Sequence, residues 1–338
     1  MANKTKQRHW SISFKENSIM KPTALLLTEN NENTIRDTLE SLRGFSIKIG
    51  DINSKDDTLG ICKFLPVEKL KFQNDFSKMR NKLICNGWNL HINPWEILID
   101  NNSQLLEIAK NSQPKAYYCQ VIEGKVITKE IRYWHSDLNL QFLNPVYETL
   151  ECQRAEFIED VIIYSAKRKP NEKMMELIAR WKENSPAAIQ PYYYEACTHL
   201  THQRYEEFAR TAKYYLLHNT DNTMSAIMLK YYLSIVDAHV FEKYDEIIPN
   251  LMHCIAANPL MAEFWCLLGD LNYKLHQYDK AANFYQNAII LGSRRLRNDW
   301  WPIELDKYKK HPERMIANCS QALTETKMLI AKTEHQVH

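Results

Sequence analysis

The sequence predicts an α/β domain followed by an all-α domain of helical repeats. In the first half, short apolar runs alternate with amphipathic stretches, which is the pattern of strands and helices in an α/β sheet. Strand signals fade from about Cys152 onward. The part between Tyr192 and Ile290 then repeats itself, which is the sequence signature of a helical solenoid.

Three apolar runs in the first half are predicted strands, and two amphipathic runs are predicted helices. The strands are Thr23–Thr28, Phe45–Gly50 and Trp95–Ile99, and the helices are Asn33–Leu42 and Lys78–Cys85. Parallel sheets bind ligands at the carboxyl ends of their strands. The acidic residues that follow the second and third strands are therefore candidate site residues.

The repeats align on Tyr205, Tyr244 and Tyr278. The third copy is the clearest, because small residues stand where paired helices pack closely in tetratricopeptide repeats. Its pattern residues are Trp265, Leu268, Gly269, Ala281, Tyr285 and Ala288. The first two copies match more loosely, and the second has Ile235 at the position of the small residue.

These observations divide the chain into five segments. We expect an N-terminal extension over 1–20, the α/β domain over 21–151, connecting helices over 152–188, tetratricopeptide-like repeats over 189–293 and a helical cap over 294–338.

Composition excludes several classes of protein. The 338 residues carry 43 Lys and Arg against 41 Asp and Glu, whereas a dedicated nucleic-acid binder shows a basic surplus. Apolar stretches are too short to span a membrane, and no apolar region follows the basic N-terminus. The eight cysteines are scattered without a Cys-x-x-Cys pair, which predicts reduced thiols and a cytoplasmic location.

Three blocks in the α/β half carry a family resemblance. They are Thr28–Glu32 (TENNE), Gly50–Thr58 (GDINSKDDT) and Asn74–Asn81 (NDFSKMRN). In this order they resemble the inverting family 2 glycosyltransferases of the GT-A (Rossmann-like) fold, in particular bacterial members related to lipopolysaccharide core transferases. Several of those members also carry C-terminal tetratricopeptide repeats, so the resemblance covers most of the chain.

The resemblance implies a site for a nucleotide-diphosphate sugar, UDP-linked above all. Its donor-binding residues would be Thr28, Glu29, Asn30, Asp51, Asp56, Asp75 and Arg80. Two of these residues also have an ordinary structural interpretation. Asp75 is suited to capping a helix, and Arg80 to pairing with a nearby acid such as Asp75 or Asp100.

A divalent cation, Mn²⁺ or Mg²⁺, is implied by the family's D-x-D motif, which reads Asp100-Asn101-Asn102 in this chain. The second carboxylate is replaced by the amide of Asn102, which removes one charge from the metal site and weakens it. Ordinary turn chemistry after a strand is the alternative interpretation.

The catalytic base implied by the resemblance is Glu148, at the end of Pro145–Glu148. Transfer requires a carboxylate that takes the proton of the acceptor hydroxyl. Tyr147 stands where the family usually has histidine. Glu159 and Asp160 are the next candidates, and a solvated glutamate is the structural alternative for Glu148.

A basic cluster, Arg294–Arg297, is followed by Trp300, Trp301 and Pro302. This patch could bind an anionic acceptor, although such a patch is usually a solvated end of a solenoid. The many tyrosines of the repeats, in contrast, are typical of packing between helices.

Three functions remain open at this stage. The first is transfer of a sugar to an unidentified acceptor, which could be a glycan, a lipid-linked molecule, a peptide or a nucleic acid. The second is a glycosyltransferase fold that has lost activity and only binds. The third is a tetratricopeptide adaptor, in which the repeats bind a protein partner or form a homodimer.

Overall fold

The computed structural model describes residues 21–100, 103–166, 172–219, 223–295 and 299–336. Its strands are β1 (Thr23–Thr28), β2 (Ser46–Asp51), β3 (Val67–Lys69), β4 (Trp88–His91), β5 (Glu96–Asp100), β6 (Ala116–Glu123), β7 (Val126–His135), β8 (Glu156–Ser165) and β9 (Ile303–Glu304). The helices among the first strands are α1 (Ile35–Ser41), α2 (Thr58–Ile61), α3 (Phe76–Leu83) and α4 (Gln104–Asn111).

The strands of the described residues form one mixed sheet in the order β3-β2-β1-β4-β7-β6-β8-β5, with β9 added beside β7. β1 pairs in parallel with β2 and β4, and β3 pairs in parallel with β2. β7 is antiparallel to β4, β6 and β9, and β5 is antiparallel to β8. The sheet curls into a half-barrel.

The predicted GT-A (Rossmann-like) fold class is wrong. The sheet is mixed: β7 is antiparallel to both β4 and β6, and beyond it β6 and β8 pair in parallel while β5 is antiparallel to β8. The predicted third strand, Trp95–Ile99, corresponds to β5, which lies at the far edge beside β8. The strand that lies next to β1, on the side away from β2, is β4 and not β5. All four of its residues are buried, but two of them are Asn89 and His91, so no apolar run marks this strand in the sequence.

Apolar clusters cover both faces of the sheet. Alternate residues of β1 point to opposite sides, so that Ala24 and Leu26 join one cluster and Leu25 and Leu27 join the other. A strand buried on both faces reads as a continuous apolar run, which is why β1 could be predicted from TALLLT.

The second half consists of helices α5 (Glu172–Asn184), α6 (Gln190–Thr201), α7 (Tyr205–His218), α8 (Met224–Val236), α9 (Tyr244–Ala257), α10 (Ala262–Lys274), α11 (Tyr278–Gly292) and α12 (Lys310–Gln336). The predicted helical hairpins are present as α6–α7, α8–α9 and α10–α11. Their second helices begin at the three tyrosines on which the repeats align.

Close packing in the third hairpin depends on Gly269. A Cβ atom at this position would lie 2.5 Å from Cε1 of Tyr285, which is shorter than any allowed carbon–carbon contact. Tyr285 is fully buried and donates a hydrogen bond to Asp270, 2.7 Å away. The absence of a side chain at Gly269 on α10 therefore leaves room for the ring of Tyr285 on α11.

The second repeat is longer than the third. Its additional residues include a π-helical turn, Asp237–Phe241, between α8 and α9.

In the parts of the chain that the structure describes, no helix is long and apolar enough to cross a membrane. The eight cysteines all lie among these residues and are free thiols.

Two segment predictions need correction. β8 lies within 152–188, where connecting helices were predicted, and Glu159 and Asp160 belong to this strand rather than to an amphipathic helix. Within the predicted helical cap, residues 303–304 form β9 and pair with Val126 and Ile127 of β7. The cap segment therefore joins the sheet to the repeats.

Candidate functional site

The structure brings most of the predicted donor-binding residues together in the loops after β1 and β2. Asp51 accepts hydrogen bonds from the backbone N–H groups of Asn53 and Ser54, at 3.0 and 3.2 Å, and from the Ser54 hydroxyl. Asn53 has a φ of 75°. The buried carboxylate of Asp51 thus stabilises a tight turn, as aspartate does in Asx turns.

The other residues of these loops form hydrogen bonds within the first loop and between the two loops. Asn30 accepts from the backbone of Lys55 at 2.7 Å, and Asp56 accepts from the backbone of Glu32 at 3.0 Å. The hydroxyl of Thr28 donates to Asn31 at 2.8 Å. These polar groups therefore hold two loops together.

Two more predicted donor residues are engaged by helices. Glu29 forms an ion pair of 2.7 Å with Lys173 of α5. Asp75 caps α3, since its carboxylate accepts from the backbone N–H of Lys78 at 3.0 Å and from the Ser77 hydroxyl at 2.6 Å. The block NDFSKMRN thus begins with an ordinary N-cap.

Arg80 pairs with Glu148 rather than with Asp75 or Asp100. Its Nε atom lies 2.8 Å from Glu148 Oε1, and its Nη2 atom donates to Asn93 at 2.8 Å. The Glu148 side chain is 11% exposed. The predicted catalytic base is therefore held in a largely buried ion pair.

This ion pair belongs to a longer buried chain of polar groups. Asn93 donates to Glu96 at 2.9 Å, and Glu96 binds Arg132 through both carboxylate oxygens, at 2.8 and 3.0 Å. Arg132 also lies 2.9 Å from Glu130. Although burial acts to raise it, the pKa of Glu96 is lowered by the charge and hydrogen bonds of Arg132. No motif in the sequence marks Asn93 or Glu96.

Of the two predicted metal ligands, only Asp100 lies among the described residues, and backbone groups already occupy its carboxylate. The two carboxylate oxygens of Asp100 accept from the backbone N–H groups of Gln104 and Leu105, at 2.6 and 3.0 Å, and so cap α4. Asn102 lies outside the described residues. Among the residues that are described, no group of three or more His, Cys, Asp or Glu side chains is placed to hold a metal ion.

A cleft of about 910 Å³ lies between the start of α3 and helix α5. Its lining includes Asp75, Lys78, Glu176, Arg180 and Trp181. Both acidic and basic side chains line it, with Glu183 as a third acid beside Asp75 and Glu176.

A different site lies on α8 and α10, which are the first helices of the second and third repeats. Residues 299–308, here called the docked segment, run across α8 and α10. The ring of Trp301 lies edge-on to Phe264 of α10, with the centroids 6.5 Å apart. It also joins the apolar cluster that includes Ile227 and Tyr231 of α8. The first helices thus contact one aromatic side chain, which is partly buried against them.

Polar contacts fix the backbone next to this tryptophan. Glu263 of α10 accepts from the backbone N–H of Glu304 at 2.7 Å and from the hydroxyl of Tyr308 at 2.8 Å. Tyr231 of α8 donates to the Glu304 carboxylate at 3.2 Å. Hydrogen bonds to a buried carboxylate are stronger than those between neutral groups.

A second carboxylate of α10 binds basic groups. The side chain of Asp270 lies 3.5 Å from Nζ of Lys307 and 2.9 Å from Nε2 of His311. Two acids of α10, Glu263 and Asp270, therefore contact the residues that cover this helix. We call the surface of α8 and α10 that these residues cover the first-helix face.

Arg295, which precedes the docked segment in the chain, binds three of its residues. It forms an ion pair of 2.8 Å with Asp299, and it donates to the carbonyl of Trp301 and the hydroxyl of Tyr308. Its side chain is only 3% exposed. The basic cluster that includes Arg295 is thus not simply a solvated end of the solenoid, and Arg295 is not accessible to an anionic acceptor. Leu296 and Arg297 lie outside the described residues.

The opposite side of the docked segment contacts the sheet. Leu305 donates its N–H to the carbonyl of Lys125 at 3.0 Å, and Lys125 also pairs with Asp306. The rings of Trp300 and Tyr118 meet edge-on at 4.0 Å. The docked segment is therefore held between the sheet and the repeats.

No family model and no curated protein matches this chain. Among solved structures, MamA from Desulfovibrio magneticus RS-1 (41-end) is similar at 18% identity with a TM-score of 0.35, over 48% of this chain and 86% of that one. The first tetratricopeptide domain of Spaghetti (RPAP3), bound to the HSP90 peptide SRMEEVD, has 12% identity and a TM-score of 0.32, over 40% and 93%. The Sgt2 tetratricopeptide domain from Aspergillus fumigatus has 10% identity and a TM-score of 0.32, over 41% and 82%.

The predicted family and the predicted activity need correction. The assignment to family 2 glycosyltransferases is wrong, and so is the prediction of a nucleotide-sugar-dependent transferase. The physical reason lies in the motif residues themselves. Asp51, Asp75 and Asp100 satisfy backbone N–H groups, and Glu148 neutralises Arg80.

Proposed function

We propose that this chain is an adaptor whose helical repeats bind a polypeptide segment of a protein partner. One observation carries the proposal: the first helices α8 and α10 hold an extended segment, residues 299–304, through an aromatic side chain and through its backbone. Stacked repeats present extended surfaces of this kind for binding.

The contacts define the chemistry that this face recognises. It takes an aromatic side chain at Phe264, a backbone N–H group at Glu263 and a cation at Asp270. The favoured partner is therefore an extended segment with a tryptophan and, further along, a basic residue. It competes with the docked segment, which is tethered and so present at an effective concentration in the millimolar range.

The test uses the docked segment itself as the probe. A fluorescent peptide of residues 299–309 (DWWPIELDKYK) is titrated into the full chain, and its anisotropy is measured. Trp301→Ala weakens the tethered copy, because it removes the partly buried aromatic side chain that contacts α8 and α10, and truncating an aromatic anchor at an interface costs about 2–4 kcal/mol. We expect this variant to bind the peptide at least about tenfold more tightly than the unmodified chain does.

Trp300→Ala is the matched control. Trp300 is the neighbouring tryptophan, 49% exposed, and its ring contacts Tyr118 of the sheet instead of the repeats. This variant should bind the peptide no better than the unmodified chain. Absence of peptide binding to a folded Trp301→Ala protein, with folding verified by circular dichroism, would refute the proposal.

A further inference from the structure

The docked segment pairs with the sheet as a strand does. Its strand β9 is antiparallel to β7, in a register that places Ile303 opposite Ile127. The backbone N–H of Leu305 donates to the carbonyl of Lys125 at 3.0 Å and continues this pairing by the next residue in line. One edge of the docked segment is therefore bound by main-chain hydrogen bonds to the sheet.

The other edge of the same backbone is bound by the repeats. In an antiparallel ladder the residues that face the partner strand alternate along the chain. Leu305 donates its N–H to the sheet, whereas the preceding residue, Glu304, donates its N–H to Glu263 of α10 at 2.7 Å. The docked segment thus lies as an extended strand between the edge of β7 and the first-helix face.

The pairing of the docked segment with β7 is short. β9 has two residues, whereas β7 has ten, of which Tyr133–His135 pair with β4 on this side. Pro302, which precedes β9, has no N–H group, and the carbonyl of Trp301 accepts from Arg295. The chain's own segment therefore uses only a small part of the backbone groups that an edge strand presents for pairing.

We propose that a partner segment binds here as an added antiparallel strand of the sheet, so that β7 and the first-helix face recognise it together. The inference rests on the proposed function, because it concerns the same partner segment and narrows its class. The partner is a strand-forming segment with free N–H groups at the positions of Ile303 and Leu305, so proline stands at neither position.

The two walls supply different parts of the recognition. Main-chain pairing with a sheet edge gives affinity that depends little on sequence, and side-chain contacts give selectivity. On the repeats, Trp301 contacts Phe264, and the carboxylate of Glu304 accepts from Tyr231 at 3.2 Å. The docked segment itself shows that a chain with these features fits between the two walls.

Backbone esters in the peptide test the inference, because an ester removes one N–H group and keeps the side chain. The probe is the fluorescent peptide of residues 299–309, titrated into the full chain that carries Trp301→Ala. Burial raises the pKa of Glu263 to about 7. The titrations are therefore carried out at pH 8.5, where its carboxylate is ionised and accepts hydrogen bonds.

An ester at Leu305 removes the N–H that donates to Lys125 of the sheet. We expect this peptide to bind about fivefold more weakly than the all-amide peptide, since one backbone hydrogen bond is lost. An ester at Lys309, which lies outside the docked segment, is the matched control and should bind like the all-amide peptide. An ester at Glu304 removes the N–H that Glu263 accepts and reports on the repeats alone.

Equal affinity of the Leu305 ester and the all-amide peptide would overturn the inference. If the Glu304 ester nevertheless binds more weakly, the repeats hold the segment without the sheet, and the proposed function stands. Failure of the all-amide peptide to bind would refute the proposed function and this inference with it. The two failures are therefore distinguishable.

Discussion

The sheet and the repeats use buried charge in different ways. In the sheet, Arg80, Glu96 and Arg132 are linked to one another and to neighbouring polar groups, so that acids face bases within the same fold unit. In the third repeat, the buried carboxylate of Glu263 and the half-buried carboxylate of Asp270 instead contact residues from the cap segment, and Asp270 also accepts from Tyr285 of its own hairpin.

This difference separates structural from binding chemistry. A buried charge that is satisfied by its own domain holds that domain together, and it offers nothing to a ligand. A buried charge that is satisfied by a separate segment marks a surface that can bind such a segment. By this criterion the first-helix face of the repeats, and not the loops after the strands, is the candidate site.

Of the three substitutions, Arg132→Met should lower the free energy of unfolding the most. It leaves the carboxylate of Glu96 buried without its partner, which costs about 3–5 kcal/mol of the free energy of unfolding. Urea denaturation measures the loss. The double variant Arg132→Met, Glu96→Leu should recover most of it, because no charge then remains uncompensated. Equal stability of the single and double variants would contradict the account.

Gly269→Ala should destabilise the repeats, lowering the free energy of unfolding by about 1–3 kcal/mol. The added methyl group would lie 2.5 Å from Tyr285, and overpacking of a well-packed site costs this amount. Thermal unfolding followed by circular dichroism measures it. Gln286→Ala, an exposed position on α11, is the control and should change stability by less than about 0.5 kcal/mol.

Asp100→Ala should give the smallest effect, about 1 kcal/mol, because it removes a helix cap. Asp100 accepts from the backbone of Gln104 and Leu105 at the start of α4. Asp100→Asn keeps one acceptor oxygen and should lose less. If Asp100→Ala left urea stability unchanged, capping would not be the role of this residue.

The helical half could be predicted well from its sequence. The repeat of Tyr205, Tyr244 and Tyr278 locates the starts of the second helices, and Gly269 and Ala281 mark the close packing of the third hairpin. Local periodicity suffices in this half because each hairpin packs mainly on its neighbours.

The sheet half could be predicted only in part. β1 and β2 are apolar runs, and both were found, but the place of a strand in a sheet depends on pairing with distant residues. β5 is an apolar run that pairs with β8, about sixty residues away, and this register is invisible in the sequence. Short motifs around Asp51 and Asp75 were misleading for a related reason, since turns and caps select the same residue types as binding sites do.

The candidate site was the least predictable part. The sequence indicates a basic and aromatic patch at Arg295 and the tryptophans after it. It does not indicate that Arg295 contacts Tyr308 or that Trp301 contacts Phe264. Glu263 carries no motif, and its role comes from the β9 strand that covers it. Only the three-dimensional structure brings these residues together.

The most direct test of the docked segment is a double-mutant cycle between Glu263 and Tyr308, with Glu263→Gln, Tyr308→Phe and the double variant. Their side chains are 2.8 Å apart, and a hydrogen bond to a charged group contributes about 1.5–3 kcal/mol. Urea denaturation above pH 8, where Glu263 is ionised, should therefore show a coupling energy of at least about 1 kcal/mol. A coupling energy near zero would show that the segment does not dock on α10, and would contradict the binding face described above.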